Sequence, residues 1–173
     1  MRARVGPRGH AGRRPTRERA SRRCDPESHS ACRGTGSATH LDYLETRADV
    51  DTAALAYVGL SFGAGSRLPF AAVEERYKAV VLVGGGIDER MHPTLPEASN
   101  INFAPYIRPP KLLINGLHDE EHPWLTRGLP LWNLLREPKD SVLVEGVGHV
   151  APPEVLVPAM VGWLDRTLGP VRR

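Results

Sequence analysis

Large apolar residues are sparse over the first forty positions and then arrive in short, regular bursts. Four bursts are brief and bounded by Gly, Pro, Asn or Asp: LAYVGL at 55–60, KAVVLVGGG from 78, KLLINGLHD from 111 and DSVLVEGVGH from 140. Their length and β-branched content predict four strands, the second covered on both faces. Between them lie longer stretches of helical character. GAGSRLPFAAVEERYKA and PWLTRGLPLWNLLRE each carry an internal proline, Pro69 and Pro130, that kinks or restarts a helix. A short helix is expected at 41–46. In the last segment Leu156, Met160, Trp163, Leu164 and Leu168 share one helical face, and Gly169-Pro170 stops the run. Residues 87–110, with five prolines, read as irregular. Strands alternating with helices define an α/β fold of about four mostly parallel strands with crossover helices. In such sheets chemistry gathers at the carboxyl ends of the strands.

Charge divides the chain at the same place as hydrophobicity. Residues 1–40 hold ten Arg against three acids, a net of +7, while residues 41–173 carry −4. The overall +3 and the isoelectric point near 9.1 therefore belong to the arm. With no periodicity and almost no large apolar residue, 1–40 is expected to be a disordered Arg-rich arm, followed by one domain at 41–173. No aromatic residue interrupts the Arg for base stacking, so no nucleic-acid partner is expected. Secretory and twin-arginine signals lack their apolar segment, and no run is long enough for a membrane span. The acid-poor start resembles a transit peptide in composition alone. Cys24 and Cys32 lie in the arm near His29 and His40, but a C-x7-C spacing is not a metal motif, which leaves two free thiols. Nothing in the body requires an oxidising compartment, and a cytoplasmic location is the expectation.

Reactive residues follow three of the four apolar runs. Ser61 comes after the first, Asp119 after the third and His149 after the fourth. Gly59-Leu60-Ser61-Phe62-Gly63 matches G-x-S-x-G, in which a sharp strand-to-helix turn exposes a nucleophilic serine. Gly59 and Gly63 spare bulk where strand and helix nearly touch, and the N–H of Phe62 is placed to stabilise an oxyanion. The order Ser, Asp, His assigns Ser61 as nucleophile, His149 as general base and then acid, and Asp119 as the group that orients the imidazole. Taken singly, His149 is also a plain loop histidine and Asp119 a plain turn acid. Asp88 is a second candidate acid. His118 to His122, HDEEH, matches the inverted zinc-peptidase motif, but it follows an Asn-Gly turn and Pro123 opposes the required helix. GLSFGAG lacks the third glycine of a dinucleotide turn, and Gly84-Gly85-Gly86 lacks the Lys-Ser/Thr of a phosphate loop, leaving a strand terminator.

The stretches DYLETRADVD, YVGLSFGA, LPFAAVEERYKAVVLVGGG, LPEASNINFAPYIRPPKLLINGLHD, GVGHVAP and WLDRTLGPV carry a resemblance running from 41 to 171. The body resembles an α/β-hydrolase of the dienelactone hydrolase and prolyl-oligopeptidase-like group, especially hydrolase domains attached to bacterial serine/threonine protein kinases. The resemblance implies Ser61, Asp119 and His149 as the triad, a small-molecule acyl substrate, and hydrolysis without cofactor or metal. It also implies four further strands before the elbow strand, and a second oxyanion donor among them. Here the Arg-rich arm stands in their place and reads as out-of-frame translation or a mis-set start, so that only the carboxyl-terminal half of the domain is expected. Two consequences follow. The first strand should expose an apolar edge prone to self-association, and activity should be impaired or absent, the alternative being a catalytically inactive fragment. Met91, Phe103, Tyr106 and Trp124 are expected to cap the site, and an ester is the least demanding substrate.

Overall fold

A computed structural model of the chain describes residues 40–87, 97 and 99–171. The arm up to residue 39, with Cys24 and Cys32, lies outside the described residues, as do Asp88 and Met91.

Strands β1 (Ala56–Leu60), β2 (Ala79–Val83), β3 (Lys111–Gly116) and β4 (Lys139–Val144) form where the apolar runs predict them. They pair in chain order, and every pairing is parallel. The interior strands β2 and β3 are buried at every position, which is why they read as unbroken apolar runs. The edge strands are more open: β1 is buried only at Gly59, and β4 is half-buried or exposed throughout.

Helices α1 (residues 40–45), α2 (Leu68–Val73), α3 (Leu129–Leu134) and α4 (Pro153–Leu168) complete the frame. The long helices expected around Pro69 and Pro130 are shorter than the sequence pattern suggests. Each proline does restart a helix, sitting in its first turn, where the missing N–H removes no bond. A 3-10 turn (Ser61–Gly63) precedes α2, and a π turn (Trp124–Gly128) precedes α3. Beyond Val73 the chain leaves the helix, and Glu74 turns to bind Arg76 at 2.7 Å.

Alternate residues of the sheet feed two cores. Val80, Leu82 and Leu113 pack with Leu68 and Ala71 of α2 and with Leu131 and Leu135. On the other face Val81, Val83, Leu112 and Ile114 pack beneath Trp163 of α4, whose indole N–H donates to Asp140 Oδ2 at 2.7 Å. Full burial of one such aliphatic side chain contributes about 1.5–3 kcal/mol, against about 0–1 kcal/mol for an exposed ion pair. The sheet interior therefore holds the fold. α1 is fastened by the burial of Leu41 and by Arg76, which reaches Asp42 at 2.7 Å and Glu45 at 3.3 Å.

Lys111 is the exception in the core. It is fully buried, and its ammonium donates to the carbonyls of Arg136 (2.7 Å) and Pro138 (3.2 Å). Burial pushes it down to about 8. Lys139 does similar work at the end of α3, donating to Trp132 and Leu135 carbonyls at 2.8 Å each.

α4 covers β2 and β3 but reaches only the start of β1, at Ala56. Val58 and Leu60 pair in register with Val81 and Val83, on the face that α4 covers, yet each is 50% exposed. Between the start of β1 and the end of α4 runs a groove of about 1010 Å³, with Leu55, Ala56, Leu164 and Leu168 in its wall and Asp49, Asp51 and Asp165 along it. Among the described residues the outer edge of β1 has no strand partner.

Candidate active site

Three strand ends converge on one rim. Ser61 follows β1 directly, Asp119 lies three residues beyond β3, and His149 five residues beyond β4. His149 joins the other two. Its Nε2 is 2.7 Å from Ser61 Oγ and its Nδ1 is 2.8 Å from Asp119 Oδ2. An ionised carboxylate only accepts, so the matching tautomer carries its proton on Nδ1 and leaves Nε2 to accept from the serine hydroxyl.

The local backbone explains how a serine is presented there. Ser61 has φ +49°, a left-handed conformation rare for a residue with a side chain and costing about 1–3 kcal/mol. Its carbonyl accepts from the N–H groups of Ala64 and Gly65, both at 2.9 Å, and Tyr57 donates its hydroxyl to the Gly63 carbonyl at 2.8 Å. Burial raises the Tyr57 phenol to about 12, so it remains a donor. The two glycines of the motif are not equivalent. A Cβ on Gly59 would lie 2.5 Å from the Gly63 oxygen, whereas one on Gly63 would meet only Tyr57 Oη, at 3.7 Å. Crowding thus requires glycine at 59, while 63 has room. Phe62 lies in the short 3-10 turn Ser61–Gly63 rather than at the head of a longer helix. Its ring is 46% exposed and sits 5.0 Å from the Arg67 guanidinium.

Asp119 is buried and fixed from both oxygens. Oδ2 meets His149, and Oδ1 accepts from the N–H groups of Glu121 and His122, each at 2.8 Å. Glu121 Oε2 reaches to 3.4 Å from His149 Nε2 from a largely exposed position, and the Glu121 carbonyl accepts from Arg127.

The glycines at the ends of β2 and β3 make room for the histidine loop. Gly84 has φ +59°, and a Cβ there would stand 2.7 Å from the His149 carbonyl oxygen. A Cβ on Gly116 would overlap the carbonyl oxygens of Val147 and Gly148. Gly84 is thus more than the strand terminator its triplet suggests.

The inverted zinc motif is not built. Residues 118–122 form turns, and His118 Nδ1 accepts from the N–H of Gly146 at 3.2 Å. His122 turns the other way, its ring centroid 5.4 Å from that of His149. The expected cap also differs. Tyr106 lies against Arg136, whose carbonyl receives Lys111 at the opposite end of β3, and Trp124 packs on the core beside Gly128. Tyr57, Glu121 and Gly116 are neighbours of the site that the sequence does not single out. An aromatic four residues before a serine, or one acid in an acidic run, has the same appearance in a core or on a surface.

No family model matches the chain, and no curated protein does. Solved structures do. An acetyl xylan esterase from Paenibacillus sp. R4 is 22% identical with a TM-score of 0.64, over 76% of this chain and 51% of its own. An α/β hydrolase from Penicillium sp. sh18 is 17% identical at TM-score 0.65, over 76% and 70%. This chain has the α/β-hydrolase fold. A cold-adapted esterase from an Arctic intertidal metagenomic library, solved with zinc bound, is 24% identical at TM-score 0.65, over 80% and 59%. The chain spans about half the length of the Paenibacillus esterase. No described helix of this chain is long and apolar enough to cross a membrane.

Proposed function

We propose that this chain is a serine hydrolase acting on an ester or a related acyl bond of a small molecule, with Ser61, His149 and Asp119 as its triad. The observation that carries the reading is the unbroken relay from Ser61 Oγ through the imidazole to a buried carboxylate. Esterases and an acylaminoacyl peptidase both occur among its structural neighbours, and the ester is chosen as the less demanding acyl bond.

The relay supports the following chemistry. Ser61 Oγ attacks the acyl carbon as its proton passes to His149 Nε2. Asp119 holds Nδ1–H and balances the imidazolium charge. The carbonyl oxygen becomes an oxyanion facing the N–H of Phe62. Collapse expels the alcohol, which takes the proton from Nε2, and leaves an acyl-serine. Water then repeats the sequence and releases the acid.

A second reading, an inactive fragment of such an enzyme, is favoured by the place of β1. Among the described residues the strand that carries Ser61 is an open edge, and loss of one oxyanion donor costs roughly 10²–10³ in kcat in a measured case. One experiment separates the two. A fluorophosphonate probe should label the full chain and leave Ser61→Ala unlabelled. Equal labelling of both, or of neither, sinks the active-hydrolase reading.

A further inference from the structure

The Asp119, His122 and His149 side chains each offer a ligand atom, and these atoms all lie within 4.8 Å of one another. We infer that they form an inhibitory site for a borderline divalent transition-metal ion, of which Zn²⁺ is the type, so that metal binding switches the triad off.

The donor set decides the class of ion. Two imidazoles and one carboxylate suit Zn²⁺ and its neighbours in the first transition row, whereas Mg²⁺ and Ca²⁺ take oxygen ligands. Bond lengths near 2.0–2.1 Å require such donors to stand about 3.3 Å apart in a tetrahedral site. Donors already within 4.8 Å therefore need only side-chain rotation. Asp119 and His122 are buried, and the His149 ring is partly open to solvent, so the site has both a firm floor and an entrance. Glu120 and Glu121 extend the acidic run at that entrance, and Glu121 Oε2 stands 3.4 Å from His149 Nε2. Their charges draw a cation inward. His118 is not among the clustered donors, and its Nδ1 accepts from the N–H of Gly146.

Inhibition follows from the tautomers of one ring. Neutral imidazole has a single lone pair. A metal bound at Nε2 occupies the atom that must accept the Ser61 proton. A metal bound at Nδ1 forces the ring proton onto Nε2, with the same result. No proton is gained or lost by the ring in either case, and Ser61 is left without a base.

This inference rests on the hydrolase reading for its effect on activity, but the binding itself is testable apart from it. Co²⁺ is titrated into metal-free full-length protein, and visible absorption is followed. The expected result is the intense band pattern of a tetrahedral site, saturating at one ion per chain and displaced by Zn²⁺. Ser61→Ala keeps all three ligands and should bind as tightly as wild type. His122→Ala and His122→Gln should each weaken binding by roughly tenfold or more, with unchanged far-ultraviolet dichroism showing that they fold. In parallel, Zn²⁺ should block fluorophosphonate labelling of wild type, EDTA should restore it, and Mg²⁺ should do neither. With His122→Ala the block should need roughly tenfold more Zn²⁺. Only weak octahedral Co²⁺ bands, or identical affinity in wild type and both His122 variants, would overturn the metal site. Tetrahedral bands in a protein that never labels would leave the site standing and remove the hydrolase reading instead.

Discussion

Tyr57 shows how much of this site depends on a residue that does no chemistry. Its hydroxyl is the donor to the Gly63 carbonyl, which closes the turn around Ser61. Tyr57→Phe keeps the ring packing and removes only that bond. It should lower unfolding free energy by about 0.5–1.5 kcal/mol, read by urea denaturation, and should slow fluorophosphonate labelling by severalfold. Gly116 makes a sharper case. Gly116→Ala puts a methyl group where the carbonyl oxygens of Val147 and Gly148 already lie, so the loop bearing His149 must move. Labelling of Ser61 should then fall by 10²-fold or more, since an ångström of misplacement has costs of that order, while the dichroism of the sheet persists. At this scale the sequence was legible for the meeting of Ser61, Asp119 and His149, because each follows an apolar run and the turn around Ser61 has its own pattern. It was not legible for Tyr57, Gly84 or Gly116, whose importance lies in who stands next to them across the sheet. Spacing along the chain carries no such information.

At the scale of elements, hydrophobic runs located all four strands, because burial on both faces leaves little choice of residue in β2 and β3. Helix lengths were less legible. The patterns around Pro69 and Pro130 continue through turns that the backbone does not make helical, and side-chain competition such as Glu74 with Arg76 ends α2 early. Lys111 was hidden altogether, since a lysine at a strand start reads as a solvated end. Its burial has a consequence for stability. The folded state holds its proton only up to about pH 8, the unfolded chain up to about 10.4. Between those values the unfolded state binds more protons, so this residue's contribution to stability rises with pH. Comparing urea unfolding of wild type and Lys111→Met from pH 7.5 to 10 should show wild type gaining relative to the variant across that window. A flat difference would mean that the two accepting carbonyls hold the proton in place.

For the molecule as a whole, the decisive fact is that α4 shelters only part of its face of the sheet. Val58 and Leu60 on β1 stand half exposed beside a strand edge that is unpaired among the described residues, and such an edge is a template for another chain. Self-association should therefore rise with concentration in light scattering coupled to size exclusion. Val58→Lys, on the strand but away from the triad, should reduce it. A monomer at all concentrations for both proteins would show that this edge is protected by other means.

Because Ser61 follows β1 at one side of the sheet and His149, which it meets, follows β4 at the other, two interior strands stand between the two residues. Any slip or splaying between neighbouring strands is transmitted into the separation of hydroxyl and imidazole. The relay thus works as a caliper laid across the full width of the molecule, closing only when every strand keeps its place.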